Sequence, residues 1–444
     1  MLVTKSLMAI QIRGGPRSVI SNSDLSLYTM EAVNSASPRS RESRDATGSP
    51  ARNRKAMSDE QKKPDAPAGG DMRETGVVSV MTSTSIHKHP TAFFNTRLPV
   101  LEVALDPAQM TTQLEPLLAA LARAGQTPGV TYAKLIAYKQ GNRGLISYEV
   151  SGTEYGDSCV VFGKLYPELN QAERVCQTMQ TLHDACFAAA ASLGVPRALG
   201  CIPDLSMLVY VPADGQLLGD ALGSDRALEY MDMSGEWLGT LHRFPLPVEK
   251  HFRLATELVN CQAWAVLVGH KYPDQAEAAQ KIAKHLQDHA SEMAFDTQSP
   301  IHKDFHYGHI VVDGGLKVID FDEMRLGDPN FDLAHFCANL HLLAYRLNNS
   351  PFQFNALQSA FLRGYSRVTG WEPNERFIYF YAYTSLKIAK QLASMRGLRP
   401  RPDGEEQQRQ VRLMLDQGIG SLPNATRQKL SSKFATAIME DPNR

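Results

Sequence analysis

Residues 302–323 read HKDFHYGHIVVDGGLKVIDFDE, a segment rich in side chains that can bind metals or move protons. Three histidines and one aspartate, Asp304, fall between His302 and His309, and Asp320 follows an apolar run. Such a set is typical of a transition-metal site. It is equally typical of a catalytic loop followed by a metal-binding carboxylate in a phosphoryl-transfer enzyme.

Two apolar runs around a glycine pair predict a hairpin in the second half of this segment. Gly314 and Gly315 form its turn, so Asp304 and Asp320 are expected to face one site. One carboxylate can accept or orient the proton of an attacking hydroxyl, while the other holds a Mg²⁺ ion that bridges nucleotide phosphates. Mg²⁺ prefers oxygen ligands, so one carboxylate with phosphates and waters suffices.

The simplest metal hypothesis is a zinc site built from His302, His306 and His309. Their spacings of four and three residues would line one face of a helix. Gly308 and the β-branched run after it argue against a helix, and no cysteine supports the histidines. A zinc-dependent hydrolase is therefore the third hypothesis, and it predicts tightly bound, stoichiometric metal.

Composition divides the chain into a polar leader and a folded part. Residues 1–95 are dominated by Ser, Arg, Pro, Gly, Asp and Lys, which bury too little apolar surface to offset the entropy of ordering, so this leader is predicted to be disordered. The folded part is predicted to begin near Leu98 and to place a helix N-cap at Asp106. Further predicted elements are strands at 132–139, 145–150 and 158–166, a helix from Leu169 to Gly194, two short strands, and mainly helices from Asp225 onward.

Charge and hydropathy exclude some classes of partner. The chain has 444 residues, 43% of them hydrophobic, so it can bury a sizeable core in two lobes. A formal net charge of −1 gives no indication of a nucleic-acid or anionic-membrane partner, and no apolar run approaches the ~18 residues of a membrane-spanning helix. The six cysteines are scattered and are expected to be reduced, as in a cytoplasmic protein. The sequence does not indicate the oligomeric state.

Phosphoryl transfer also needs a cation on the phosphates, and Lys164 near the end of the third strand is the candidate. Glu173, early in the following helix, is expected to pair with this lysine and fix its direction. The connection between the lobes is expected near Tyr210 and Val211, where backbone groups can hydrogen-bond an adenine.

The order of these motifs resembles that of the aminoglycoside phosphotransferase and choline kinase-like families, which share the protein-kinase fold. Their catalytic loop follows H-x-D-x-x-x-x-N, which His302 and Asp304 match at the first two positions. VIDFDE, with Asp320, resembles their metal-binding motif, and LGDPNFDLAHF at 326–336 resembles their G-D-P-x-x-D-L-A motif. The resemblance covers roughly residues 98–420.

The resemblance implies a role for each matched residue. Asp304 would be the catalytic base and Asp320 the Mg²⁺ ligand, with ATP as the phosphoryl donor. His302, Asp328 and Asp332 would brace the catalytic loop.

The same resemblance implies a two-lobed α+β fold of the protein-kinase type. It divides the chain into the disordered leader 1–95, a small β-rich nucleotide-binding lobe at 98–211, and a larger helical lobe at 212–425 that carries catalysis and substrate binding.

Two departures from the family pattern concern the phosphates and the metal. His309 stands where the family has asparagine, and its softer nitrogen suits Mn²⁺ or Zn²⁺ better than Mg²⁺. Either the second metal ion is lost, or a different metal is favoured, or His309 contacts phosphate as a donor. QGNRG replaces the usual glycine-rich loop, and its Arg143 could reach a phosphate or remain a solvated turn residue.

The sequence thus predicts an ATP-dependent phosphotransferase acting on a hydroxyl of a small molecule such as an aminoglycoside, sugar or amino alcohol. The alternative is an inactive pseudoenzyme of the same fold that binds nucleotide or regulates a partner. The acceptor would contact the variable helices at 225–295 and 351–400. Tyrosines of the aromatic segment 376–386 would contact it if one face of that helix lines the cleft, and five acidic residues could meet a cationic acceptor: Asp225, Glu229, Asp232, Glu236 and Glu372.

Overall fold

The structure, a computed structural model, describes most of the chain beyond the leader. The described residues are 100–139, 142–156, 158–190, 192–293, 298–348, 351–394 and 404–422. Residues 1–95, the predicted disordered leader, lie outside the described residues, so their disorder remains a prediction. The exact limits of the two lobes also remain predictions.

The N-terminal lobe is built on a five-stranded antiparallel sheet with the strand order β1-β2-β3-β6-β5. Two helices precede the sheet, and one long helix separates β3 from the strands that follow. The elements are α1 (Leu101–Ala104), α2 (Pro107–Leu118), β1 (Gly129–Lys139), β2 (Arg143–Ser151), β3 (Ser158–Leu165), α3 (Leu169–Thr181), β4 (Leu193–Gly194), β5 (Ala198–Ile202) and β6 (Met207–Tyr210).

The C-terminal lobe is mainly helical and carries two small sheets, β11-β8 and β4-β10-β9-β7, the second of which is joined by the short strand β4 from the preceding part of the chain. Its elements are β7 (Gln216–Leu217), α4 (Leu218–Ala221), α5 (Ala227–Arg243), α6 (Leu254–Lys271), α7 (Ala276–Asp288), β8 (Ser299–Ile301), β9 (Ile310–Asp313), β10 (Gly315–Val318), β11 (Arg325–Gly327), α8 (Asn330–Arg346), α9 (Pro351–Thr369), α10 (Glu375–Ser394) and α11 (Gly404–Gly420). The predicted two-lobed α+β architecture is confirmed. No helix in the described part of the chain is long and apolar enough to cross a membrane.

Local sequence signals explain the first elements. The Asp106 carboxylate accepts a hydrogen bond of 2.9 Å from the Ala108 backbone amide, which caps α2 as predicted. Met110 and Leu114, four residues apart, are both fully buried on one face of this helix. β1 and β2 form the predicted hairpin, and their last paired residues flank the turn.

The predicted helix from Leu169 to Gly194 is too long. α3 ends at Thr181, and one π-helical turn, Leu182–Cys186, closes it. Phe187 then stacks on Trp237 of α5 with ring centroids 5.0 Å apart. This aromatic packing turns the chain away from the helix axis, so tertiary contact overrides the helix propensity of the alanines that follow.

Helices α5 and α9 cross closely because each presents a glycine at the contact. A Cβ at Gly235 would collide with the carbonyl oxygen of Phe361, and a Cβ at Gly364 would collide with that of Asp232. Close packing here fixes α5, whose last turn supplies His242 to the site below.

Candidate active site

Asp332, in the first turn of α8, holds the backbone of the predicted catalytic loop (residues 302–309). Its two carboxylate oxygens accept hydrogen bonds from the backbone amides of His302 (2.6 Å) and Lys303 (2.8 Å). His242 of α5 lies 3.2 Å from the same carboxylate, which is completely buried. A buried carboxylate needs such partners, so the loop is tied to two core helices.

Two residues of the site have left-handed backbone conformations that favour glycine. Lys303 has φ of +69° and Asp320 has φ of +68°. Each costs on the order of 1–2 kcal/mol for an L-residue and persists only where the surrounding contacts impose it. Lys303 directly precedes Asp304, and Asp320 follows the β9–β10 hairpin. Both strained residues therefore belong to the predicted site.

The carboxylate of Asp304 is held by two residues of the helical lobe. His335 of α8 places Nε2 at 3.1 Å from Oδ1, and Lys387 of α10 places Nζ at 3.6 Å from the same oxygen. Burial alone would raise the pKa of Asp304. The Lys387 ammonium and the His335 hydrogen bond outweigh it and hold that pKa well below its usual range. Asp304 is therefore ionised at neutral pH, as a proton acceptor must be.

Hydrogen bonds fix the tautomers of the two loop histidines. Nδ1 of His309 lies 2.9 Å from the carbonyl oxygen of Asp304, and a carbonyl can only accept, so this nitrogen carries the proton. Nδ1 of His306 accepts from the Gly308 amide at 3.0 Å. Burial, together with nearby His309, keeps the pKa of His306 well below its usual range, so this side chain is neutral.

The β9–β10 hairpin brings the two candidate carboxylates to opposite sides of His309. The Ile319 amide donates to the carbonyl of His309 at 2.9 Å, which closes the hairpin. Nε2 of His309 lies 3.8 Å from Oδ2 of Asp320, and its Nδ1 lies 3.8 Å from Oδ2 of Asp304. Asp304 and Asp320 therefore face one site, as the hairpin predicted.

The residues around His309 fit a divalent metal ion. Its protonated Nδ1 leaves the Nε2 lone pair on the side of the Asp320 carboxylate, and a buried carboxylate paired with an imidazole is a suitable donor set. Ligand atoms of Asp304, His306 and His309 also lie within 4.8 Å of one another. His302 does not join them, because its Nε2 donates to the Ile319 carbonyl at 3.1 Å. The three-histidine zinc set, the third hypothesis above, is not the set that the described residues bring together, since Asp304 takes the place of His302.

On the other side of the hairpin, Lys164 of β3 reaches the acidic motif from the N-terminal lobe. Its ammonium lies 2.9 Å from Asp320 and 2.7 Å from Asp322. Burial would lower the pKa of Lys164, but the two carboxylates outweigh it and raise the pKa well above its usual value. Lys164 is thus a permanent cation at the predicted phosphate side of the site.

Asp322 is the point where three N-terminal-lobe side chains meet the helical lobe. Besides Lys164, it accepts from the hydroxyl of Tyr166 at 2.7 Å and pairs with Arg143 at 2.5 Å. Arg143 also lies 3.8 Å from Glu323 and is only 20% exposed, so it is not a solvated turn residue.

The site just described combines an ionised loop aspartate, a second carboxylate after a hairpin and a buried lysine from the opposite lobe. A sequence model described as the phosphotransferase enzyme family matches residues 147–372, slightly more than half of the chain. The chain belongs to this phosphotransferase family. No curated protein sequence matches it.

Solved structures of kinases and phosphotransferases are similar to this phosphotransferase. A candidate aminoglycoside phosphotransferase from Ralstonia eutropha has a TM-score of 0.52 at 13% identity, over 70% of this chain and 97% of its own. Spectinomycin phosphotransferase bound to ADP and spectinomycin scores 0.46 at 12% identity, over 70% and 98%. A choline/ethanolamine kinase family protein from Mesorhizobium loti scores 0.43 at 14%, over 66% and 89%. At 13% identity, the similarity to the Ralstonia eutropha structure is evidence for the fold alone.

Two predicted nucleotide contacts of the phosphotransferase differ from expectation. Glu173 is exposed on α3, while Lys164 makes its ion pairs with the aspartates of the other lobe, because those carboxylates face it directly across the cleft. Tyr210 ends β6 and is buried. The amide of Val211 donates to the Arg197 carbonyl at 2.9 Å, so this amide is already engaged within the protein.

The predicted loop braces fall into two groups. His302 is fully buried, and its ring and backbone tie the loop to Ile319 and Asp332. Asp328 instead accepts from the backbone amide of Asn330 at 2.9 Å and lies 3.4 Å from Arg376. It therefore organises the start of α8 and touches the catalytic loop only indirectly, since its spacing suits a helix start.

Sequence reasoning missed Tyr166, His335 and Lys387. His335 lies three residues after Asp332 on α8, so helical spacing from the matched motif could have found it. Lys387 interrupts an apolar, aromatic helix, which is itself a signal because lysine is rarely buried without a partner. Tyr166 carries no sequence signal, since its role depends on the approach of the other lobe.

Three of the five acidic residues expected to meet a cationic acceptor are engaged by arginines. Arg367 of α9 pairs with Asp232 at 2.6 Å and Glu236 at 3.0 Å, and Arg226 pairs with Glu229 at 2.7 Å. Exposed pairs of this kind are solvated surface features, so they provide little support for a cationic acceptor.

Proposed function

We propose that this phosphotransferase moves the γ-phosphoryl group of ATP to a hydroxyl of a small molecule. The observation that supports this best is the contact of His309 with both Asp304 and Asp320 at 3.8 Å, together with the buried cation Lys164 at 2.9 Å from Asp320. A candidate proton acceptor, candidate metal ligands and a candidate phosphate-binding cation are thus neighbours, as phosphoryl transfer requires.

In the proposed reaction, the acceptor oxygen forms a bond to the γ-phosphorus while the bond from that phosphorus to the β–γ bridging oxygen breaks. ADP carries away the electron pair of the broken bond, and the hydroxyl proton passes toward the Asp304 carboxylate. His335 and Lys387 hold that carboxylate ionised and correctly oriented. The catalytic contribution of the chain is therefore positioning together with charge stabilisation.

Asp320 and His309 are the residues that would hold a divalent ion, Mg²⁺ or Mn²⁺. When bound, the ion supplies positive charge to the nucleotide phosphates. Lys164 holds Asp320 from the N-terminal lobe and adds a second positive charge on the same side.

A thermal-shift titration tests nucleotide and metal use directly. The protein is titrated with ATP, GTP and a non-hydrolysable ATP analogue, each with Mg²⁺, with Mn²⁺ and with EDTA. A nucleotide at about 100 times its dissociation constant should stabilise the fold by about 2.7 kcal/mol. A shift that requires a divalent ion supports the proposal, and the absence of any nucleotide-dependent shift overturns it.

Turnover separates the enzyme from the pseudoenzyme alternative. Asp304→Asn should reduce acceptor-dependent ADP formation at least ~100-fold, because it removes the proton acceptor. Asp288→Asn, on the exposed surface of α7, is the matched control and should leave the rate unchanged. Nucleotide binding without ADP formation from any alcohol would favour the pseudoenzyme instead.

A further inference from the structure

The two oxygens of the Asp304 carboxylate have different surroundings. Oδ1 receives both contacts from the core helices, Nε2 of His335 at 3.1 Å and Nζ of Lys387 at 3.6 Å. Oδ2 instead faces two imidazoles of the loop itself, with Nδ1 of His309 at 3.8 Å and Nε2 of His306 at 3.9 Å. Both of the latter distances exceed that of a hydrogen bond, so a further donor fits beside Oδ2.

Exposure distinguishes the two imidazoles beside Oδ2. The side chains of Asp304 and His306 are 16% and 14% exposed, whereas that of His309 is 4% exposed. A molecule that arrives from solvent can therefore touch Asp304 and His306, while His309 is largely covered by protein.

The hydrogen bond at Nδ1 of His306 determines what its Nε2 can do. Nδ1 accepts from the Gly308 amide at 3.0 Å, and this bond caps the 3₁₀ turn Tyr307–His309. A backbone amide can only donate, so Nδ1 carries no proton and the proton of the neutral ring is on Nε2. Nε2 of His306 is therefore a hydrogen-bond donor.

Packing holds this donor in place. The ring of His306 lies against that of His309, with centroids 4.1 Å apart, and meets the ring of Tyr307 edge-on at 5.6 Å. None of the described residues brings an acceptor within hydrogen-bonding distance of Nε2, and Oδ2 of Asp304 lies 3.9 Å from it. A donor that is fixed in this way and not used within the protein is suited to a ligand.

The distance between Nε2 and Oδ2 suits one oxygen atom placed between them. Hydrogen bonds of about 2.8 Å from this oxygen to each atom are compatible with the separation of 3.9 Å. A hydroxyl can make both bonds at once, because it donates its proton and accepts through a lone pair. Its second lone pair remains for attack on phosphorus.

We propose that His306 binds the reacting hydroxyl of the acceptor: its Nε2–H donates to the hydroxyl oxygen, while the hydroxyl donates to Oδ2 of Asp304. This inference rests on the proposed phosphotransferase function. In the transfer step the bond from that oxygen to the γ-phosphorus forms, the bond from phosphorus to the bridging oxygen of ADP breaks, and the hydroxyl proton passes to Oδ2. His306 keeps its own proton throughout, so it contributes the orientation of the attacking oxygen.

Two substitutions separate this contact from the capping role of His306. His306→Asn keeps an acceptor for the Gly308 amide but removes the donor at the Nε2 position, whereas His306→Gln can carry an N–H to that position but loses the cap. His306→Asn should lower kcat/KM for the acceptor about tenfold, the equivalent of one hydrogen bond, with a native denaturation midpoint. His306→Gln should have a lower midpoint and yet use the acceptor better than His306→Asn.

Because the contact is made to the reacting hydroxyl itself, the loss should be similar for chemically different acceptors. Ethylene glycol, glycerol, ethanolamine and glucosamine, and water alone, are compared through ADP formation with ATP and divalent ion in excess. KM for ATP should stay near its native value in His306→Asn. His183→Asn, at a 41% exposed side chain of the N-terminal lobe, is the matched control and should change none of these quantities.

The ring nitrogens give a test that needs no turnover. Long-range proton–nitrogen correlation spectra of the histidine rings, with the His306 signals assigned from their loss in His306→Asn, should show the Nε2–H tautomer for His306 at pH 7. A His306 ring that carries its proton on Nδ1 overturns the inference whatever the activity of the protein.

The outcomes distinguish the inference from the function on which it rests. Native kcat/KM for the acceptors in His306→Asn overturns the role of His306 and leaves phosphotransfer intact. A changed preference between Mg²⁺ and Mn²⁺ in that variant, with acceptor use unchanged, also overturns it and assigns His306 to the metal. Absence of ADP formation from every alcohol and from water in the native protein counts against phosphotransfer itself.

Discussion

The two sides of the catalytic hairpin both pair carboxylates with buried cations, but they recruit those cations differently. On the nucleotide side, Asp320 and Asp322 receive Lys164 and Arg143 from strands of the N-terminal lobe, more than 150 residues away in sequence. On the acceptor side, Asp304 receives His335 from α8, 31 residues away, and Lys387 from α10 in the same lobe.

This difference separates a site assembled between lobes from a site assembled within one core. The proposed nucleotide side depends on ion pairs between the two lobes, Lys164 with Asp320 and Asp322 and Arg143 with Asp322. The acceptor side is held by helices packed into one hydrophobic core, so it is organised before any ligand arrives. Substitutions at the inter-lobe contact should therefore change mainly the stability of the fold, and substitutions on the acceptor side should change mainly catalysis.

The largest effect is expected at the inter-lobe contact. Asp322→Ala leaves Lys164 and Arg143 with less compensating charge in a buried position and should destabilise the fold by about 3–5 kcal/mol in urea denaturation. Asp288→Ala, which breaks an exposed pair with Lys284, is the control and should change stability little. A small effect of Asp322→Ala would show that the two lobes do not depend on this contact.

On the acceptor side, Lys387→Met should change catalysis instead of nucleotide binding. It removes a charge partner of Asp304 and should reduce kcat about 10- to 100-fold, the equivalent of one hydrogen bond to a charged group. KM for ATP should stay near the native value, and Lys387→Arg should recover part of kcat. A selective rise in the KM for ATP would contradict the division between the two sides.

His309 lies between the two sides, and its substitution should alter metal choice. His309→Asn exchanges an imidazole nitrogen for an amide oxygen, so the ratio of activity with Mg²⁺ to activity with Mn²⁺ should rise about tenfold. Metal titrations of ADP formation measure this ratio. An unchanged ratio would mean that His309 contacts no metal ion.

The smallest effect concerns Lys250, at the edge of the nucleotide side. Burial, with Arg174 and Arg325 nearby, lowers its pKa to about 8, against weaker opposition from Glu323 and Asp322. The folded state therefore carries a penalty for the charged lysine, and Lys250→Met should stabilise the fold at pH 7 by up to about 1 kcal/mol after solvent screening.

The pH dependence of this gain has a definite sign. Between about pH 8 and the ordinary lysine pKa of 10.5, the unfolded state binds more protons than the folded state, so native stability rises with pH. The advantage of Lys250→Met should be constant below about pH 8 and disappear toward pH 10.5. Thermal denaturation of both proteins across this range measures it, and a pH-independent difference would rule out the proposed charge effect.

Residues placed by local features of the sequence could be predicted, whereas contacts between the two lobes could not. Asp304 and Asp320 were identifiable because local spacing places one on a loop and the other at a hairpin end, whereas Asp332 was identified through the family resemblance of its motif. Lys164 was found as a strand lysine, but its partner was assigned to Glu173 from sequence proximity, whereas the structure pairs it across the cleft. Proximity along the chain is a poor guide where two lobes meet.

The sequence by itself determined the elements and their chemistry: a capped first helix, a β hairpin, a catalytic loop, and a hairpin that brings two carboxylates to one histidine. These depend on local propensity, turn residues and periodicity, which act over a few residues. Only the tertiary structure decided which charges neutralise each other, such as Lys164 with Asp322, Lys303 with Glu257 and Lys387 with Asp304. Ion pairing depends on distances of a few ångströms between distant segments, and packing of the lobes and helices sets those distances.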